Sequence, residues 1–226
     1  MGNVLAAAAA FVGTHFLLSH PLRAPLVARV GERGFLGLYS LVAFATLIWL
    51  ILAYRAAPPG MPLWIAGDAL WAIATVVMLI ASILLMGSLI RNPALPQAAT
   101  GEVPLARGVF AVTRHPMMWS FALWGVAHIL VYPEPSNIIV AGAIIILALV
   151  GANFQDQKKA TLQPDFWRVW QQRTSYWPFA AIADGRARFG GFGMHALAGG
   201  LVVWLVATWA HIPLSGWRAG IWYWIG

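Results

Sequence analysis

The sequence predicts an all-α fold: a polytopic membrane helical bundle of about six transmembrane helices in a single domain over residues 1–226. Three observations carry this. Hydrophobic residues make up 61% of the chain and charged residues only 9%. A soluble domain carries about 25% charge, because its surface faces water, so most of this surface must face lipid. Apolar runs close to the length needed to cross a bilayer, roughly 20 residues, recur along the chain. Twelve of the fourteen Lys and Arg residues fall in alternate connections between these runs, as expected when basic loops stay on one side of a membrane.

In order, the runs cover residues 4–21, 35–54, 70–90, 117–132, 138–154 and 194–212. The N-terminal stretch resembles a signal peptide, but it lacks the basic leader that a signal needs. It is therefore expected to be a retained first helix. The first connection carries Arg23, Arg29 and Arg33, and the third carries Arg91, Arg107 and Arg114. The fifth carries Lys158, Lys159, Arg168, Arg173, Arg186 and Arg188. Both termini are accordingly placed outside, and loops one, three and five in the cytoplasm. Asn92 to Gln97 holds two prolines and reads as irregular backbone. Asp165 to Trp177 sets Phe166, Trp167, Trp170 and Trp177 among charges, which predicts an amphipathic segment on the cytoplasmic face. The tail over 213–226 is too short to span; Trp217, Trp222, Tyr223 and Trp224 suit an interfacial anchor. The run Ala6 to Ala10, and Ala196, Ala198, Gly199 and Gly200, read as packing seams.

The chain has no cysteine. That excludes disulfides, thiolate ligands and cysteine nucleophiles. The net charge of +7 is explained by one-sided loops, and no nucleic-acid motif accompanies it. No carboxylate pair or nucleophile–base arrangement suggests hydrolysis.

An ionisable side chain in a bilayer is costly and needs a reason to be there. His15 and His128 lie well inside predicted helices, whereas His20, His115, His195 and His211 lie near helix ends. Ser19 falls one turn after His15 on the same face. Trp124 and Gly125 precede His128 by four and three residues, giving a stacking partner and a gap for a flat macrocycle. Two histidines on different helices can ligate a haem iron. Ordinary helix packing with hydrogen-bonded histidines explains the same residues, and spacing alone does not choose. Arg114-His115-Pro116 precedes the fourth run; an Arg and a His beside a helix N-terminus can hold a haem propionate, a substrate acid or a lipid head group. Asp156 reads as a local ion pair or cap beside Lys158 and Lys159.

At these residues the sequence resembles the NnrU family of membrane proteins, which includes the zeta-carotene isomerases. Three blocks carry the likeness: His15 with Ser19 and Arg23; Arg114 to Trp119 running on to Leu123 to His128; and Arg173 to Ile182. The resemblance implies a haem b (iron) protein of the bacterial inner membrane, with His15 and His128 at the positions that match ligating histidines. It implies either redox-type isomerisation of a lipophilic polyene or a part in denitrification and nitric oxide metabolism. The isomerase branch has a cysteine where this chain has Gly125, so ligand exchange through sulfur is not expected. A second likeness is to the isoprenylcysteine carboxyl methyltransferases, which use S-adenosylmethionine. Arg114-His115-Pro116 with Asp156, Leu162, Phe166, Trp170 and Pro178 follows their outline loosely. A third reading is a non-catalytic partner of a respiratory complex such as a nitric oxide reductase.

Overall fold

A computed structural model describes residues 1–95 and 102–226; Pro96 and Gln97, in the irregular stretch expected from the sequence, lie outside them. All the regular structure among these residues is helical. The ten helices are α1 (Gly2–Ser19), α2 (Arg23–Arg55), α3 (Asp68–Ser88), α4 (Val109–Val112), α5 (Pro116–Val131), α6 (Pro135–Leu162), α7 (Pro164–Arg173), α8 (Ala180–Ala183), α9 (Met194–Ser215) and α10 (Ile221–Ile225).

Five of these are long and apolar enough to cross a membrane: α1, α2, α3, α6 and α9. The sixth, α5, has 16 residues, about 24 Å, against a hydrocarbon core of about 30 Å. The chain is thus a multi-pass helical membrane bundle. Proline opens α5, α6 and α7 in the first turn, where its missing N–H costs no helical bond. Asp68 begins α3 and suits the positive end of the helix dipole.

The helices pack as a row, α2–α1–α6–α5–α3–α9, with α2 also touching α6. One core joins Val4, Ala7, Ala8 and Phe11 of α1 to Leu50 and Ala53 of α2 and Ala143 of α6. A second joins Ile83 and Leu84 of α3 to Val109 and Ala196. The small residues act as the sequence suggests. A Cβ on Gly200 would stand 2.7 Å from the Ile83 Cα, so α3 and α9 meet backbone to backbone. The outer face of α2 is bare, with Leu41 and Phe44 about two-thirds exposed at 67% and 65%. In lipid that exposure is no penalty.

Three expectations change. The first basic connection is helical, not a loop: α2 starts at Arg23 and bends at Gly31, whose φ of 72° only glycine takes readily. The segment around α7 does not lie on a membrane surface with its aromatics in lipid. Trp167 and Trp170 are fully buried against Ala94, Val103 and Phe110, and only Trp177 is largely exposed. A sequence with charges between aromatics looks the same whether its apolar face meets lipid or protein. The tail, finally, also packs against the end of the bundle, although no residue of α10 is buried and Trp217 and Trp224 stay exposed. Tyr223 stacks on Trp71 at 4.5 Å and donates to Asp68 at 2.9 Å, while Trp222 and Trp224 donate to Leu205 and Thr75.

Candidate functional site

The bundle holds two polar constellations at different depths. The end that gathers the loop arginines and lysines is called the basic end below, and the other the neutral end.

Near the neutral end, α3, α5 and α9 enclose a cavity of about 410 Å³, and residues 217, 219 and 220 of the tail complete its wall. The walls are mostly apolar and aromatic, including Trp71, Met78, Trp124 and Trp204. His128 of α5 and His211 of α9 both line it, with ring centroids 6.1 Å apart. Each ring has Nδ1 against a backbone carbonyl one turn earlier: His128 on Trp124 at 2.8 Å, His211 on Ala207 at 2.7 Å. A carbonyl only accepts, so both Nδ1 atoms carry protons, and a neutral ring then presents a bare Nε2. That is the tautomer a metal ligand uses. Trp124 lies against His128 at 4.1 Å, tilted by 31°, and fixes the ring further. The Trp204 indole N–H is buried with no acceptor in the protein.

The basic end contains a buried node. Asp156 accepts from Arg114 Nε at 3.0 and 2.8 Å, from its terminal nitrogen, and from His115 Nε2 at 2.8 Å. His115 is fully buried, and its Nδ1 has no partner. The segment after α7 closes the node. Arg114 N–H donates to Ser175 at 2.8 Å, Phe179 N–H to Val112 at 2.7 Å, and the Thr113 hydroxyl to Tyr176 at 2.7 Å. Trp119 also donates to Tyr176, whose own hydroxyl donates to Leu149. Two irregular strands thus satisfy one another's polar groups, which is how non-helical backbone survives deep in a membrane protein. Burial raises the Tyr176 phenol above its usual pKa, the Asp156 charge adds to this, and Arg114 offsets part of it. Asp156 therefore pairs across helices with Arg114 and His115, rather than locally with Lys158 and Lys159. Lys159 instead donates to the Leu95 carbonyl.

The residues singled out in the sequence fall into three places. His128 and Trp124 line the cavity. Arg114 and His115 belong to the node. His15 and Ser19 lie on α1, where His15 Nδ1 donates to Phe11 at 2.6 Å and its ring packs on Phe11 and Tyr39. Ser19 contacts Phe16 and His20. The structure does not bring His15 and His128 together. The next residue, Phe16, reaches Gly151 of α6, whereas the His128 carbonyl is bonded by Asn137. Those levels on α6 differ by about 20 Å. Gly125 is no gap in the cavity wall either. A Cβ there would lie 2.6 Å from Ile145 and 2.9 Å from the Ala141 carbonyl, so this glycine serves the α5–α6 contact. His211, read in the sequence as an end-of-helix residue, is the histidine that faces His128. The aromatic tail beyond it was the available signal, because a tail that folds back encloses a helix end.

The fold and this cavity define a class: a multi-pass helical membrane protein with an aromatic-walled, two-histidine cavity between its helices. The family described as "NnrU protein" matches residues 3–219, and the chain belongs to that family. It is also similar to the chloroplastic 15-cis-zeta-carotene isomerase of Zea mays, with 33% identity over 81 residues. That match covers 36% of this chain and 22% of the maize protein. No solved structure matches the chain.

Among the described residues, no group of three His, Cys, Asp or Glu side chains is placed to hold a metal ion. A haem iron needs less from the protein, because its macrocycle fills four positions and one or two side chains complete the set. The pair His15 and His128 does not fit that need, being at different depths. His128 and His211 fit it in tautomer, in proximity and in their apolar surroundings.

Proposed function

We propose that this protein is a haem b-dependent membrane isomerase whose substrate is a lipophilic polyene bound between α3, α5 and α9. The observation that carries the proposal is the pair His128 and His211, each with Nε2 left bare at a cavity with apolar walls. His128 and His211 would hold the haem, and Trp124 would keep the His128 ring in place. Bound there, haem supplies a redox-active iron whose character is set by its axial ligands and by the dryness of the site. The other side chains bind and exclude. Aromatic walls suit a flat conjugated chain, and the folded-back tail adds Trp217 to them. A cis–trans rotation changes no formula, so the site need move no group or proton. By the distribution of charge, the basic end faces the cytoplasm of a bacterial inner membrane and the cavity lies nearer the outer leaflet.

The likeness to the maize isomerase supports this substrate class. The chain has no cysteine to exchange as a haem ligand, which favours a second role, in nitric oxide metabolism or beside a nitric oxide reductase. The methyltransferase outline draws on Arg114 and His115, which direct their donors to Asp156. The test is the absorption spectrum of protein purified from haem-replete cells, followed by incubation with 15-cis-zeta-carotene under reducing conditions. A Soret band that sharpens on reduction, together with isomer conversion, is the expected result. Haem without conversion, but with a spectral change on adding NO, selects the second role; no haem at all overturns both.

A further inference from the structure

At the basic end a cleft of about 780 Å³ runs between the C-terminal end of α3 and the start of α9. Three exposed arginines line it: Arg91 and Arg107 from the connection between α3 and α4, and Arg188 from the one before α9. Elsewhere, among the described residues, four arginines are paired, while Arg29, Arg33, Arg55, Arg173 and Arg218 form no ion pair. Arg23, Arg114, Arg168 and Arg186 each meet a carboxylate. Among the described residues, no Asp or Glu lines this cleft, and neither Arg91, Arg107 nor Arg188 makes an ion pair or side-chain hydrogen bond. Unneutralised guanidinium groups around one concavity create a field for an anion, and their planar fork suits phosphate oxygens.

Two further features point to a ligand. Trp170 lines the cleft, is 1% exposed, and leaves its indole N–H without an acceptor. A buried donor of this kind costs stability unless something accepts from it. The cleft is also bordered by the first turn of α9, after Gly193, where backbone N–H groups have no helical partner.

We propose that this cleft binds the phosphate head group of an anionic phospholipid. Apolar side chains decide between a lipid and a free anion. Ile90, Leu105 and Phe189 stand beside the arginines at 49%, 60% and 43% exposure. Ile90 follows the end of α3 and Phe189 lies shortly before α9, so acyl chains can descend along these two membrane-spanning helices while the phosphate stays among the guanidinium groups. Basic pockets between membrane helices hold anionic head groups in this manner.

The experiment uses the full chain in two arms. Native mass spectrometry of wild-type protein extracted in mild detergent should show a retained anionic phospholipid; protein that carries only neutral lipid, or none, overturns the proposal. Titration with phosphatidylglycerol in phosphatidylcholine nanodiscs, read by thermal shift, then compares two charge-matched doubles. Arg91→Gln with Arg188→Gln should weaken the phosphatidylglycerol effect by about tenfold. Arg29→Gln with Arg33→Gln should change it by no more than about twofold. Equal losses in the two doubles would mean a general surface charge and would overturn the cleft. If inorganic phosphate gives the same shift as the lipid, the occupant is a free anion and the lipid assignment fails.

Discussion

His128 and His115 lie on, or one residue before, the same short helix, yet their surroundings make them opposites. His128 sits beside a cavity, its Nδ1 tied to its own helix and its Nε2 bare. His115 is sealed from solvent, and its Nε2 goes to Asp156. One histidine is available to a ligand; the other fastens α5 to α6 and to the segment after α7. The difference teaches that position in a membrane helix does not mark a functional histidine. What marks it is a bare ring nitrogen at a cavity beside a second such ring; His15 has the same tautomer but lies at another level.

The contrast breaks most visibly at Asp156. Asp156→Asn leaves Arg114 charged and buried with its counter-ion gone, and a buried pair broken from one side costs about 3–5 kcal/mol. Thermal unfolding in detergent should show this loss, while haem content of the surviving folded protein stays at the wild-type level. A smaller effect is expected on the α5–α6 contact. Gly125→Cys drives a Cβ against Ile145 and the Ala141 carbonyl, an overpacking worth about 1–3 kcal/mol. Its spectrum should gain no thiolate character, because that position faces α6. Gly220→Ala meets both a φ of 58° and Thr208 at 2.7 Å. It should free the tail at a cost of about 1–3 kcal/mol, and hydrogen exchange over residues 217–224 should quicken. Thr113→Val removes the bond to Tyr176 and should cost about 1 kcal/mol. That loss should appear in the unfolding midpoint without altering the cavity.

Much of the fold is legible in the sequence because hydrophobic length needs no partner to be read. Residues 4–21, 70–90, 138–154 and 194–212 correspond to α1, α3, α6 and α9 within a few residues, α6 running on through its charged C-terminal turns. What one dimension cannot supply is the order of neighbours. His15 and His128 look equivalent by depth from a helix end, but α6 lies between their helices and they lie at different levels along it. His211 looks interfacial because nothing in its own helix shows that Gly216 and Gly220, with positive φ, turn the tail back over it. Asp156 sits beside two lysines in sequence, yet Lys158, two residues on, falls on another face, and Lys159, three residues on, donates to the Leu95 carbonyl. Its partners, Arg114 and His115, come from just before α5 instead.

The central claim is that His128 works with His211 and not with His15. The most direct measurement is the reduced and oxidised absorption spectrum of His211→Ala beside His15→Ala, each at matched folded protein. The account predicts that His211→Ala loses or markedly shifts the Soret band while His15→Ala keeps the wild-type spectrum. A wild-type spectrum in His211→Ala, with the band lost in His15→Ala, would contradict it.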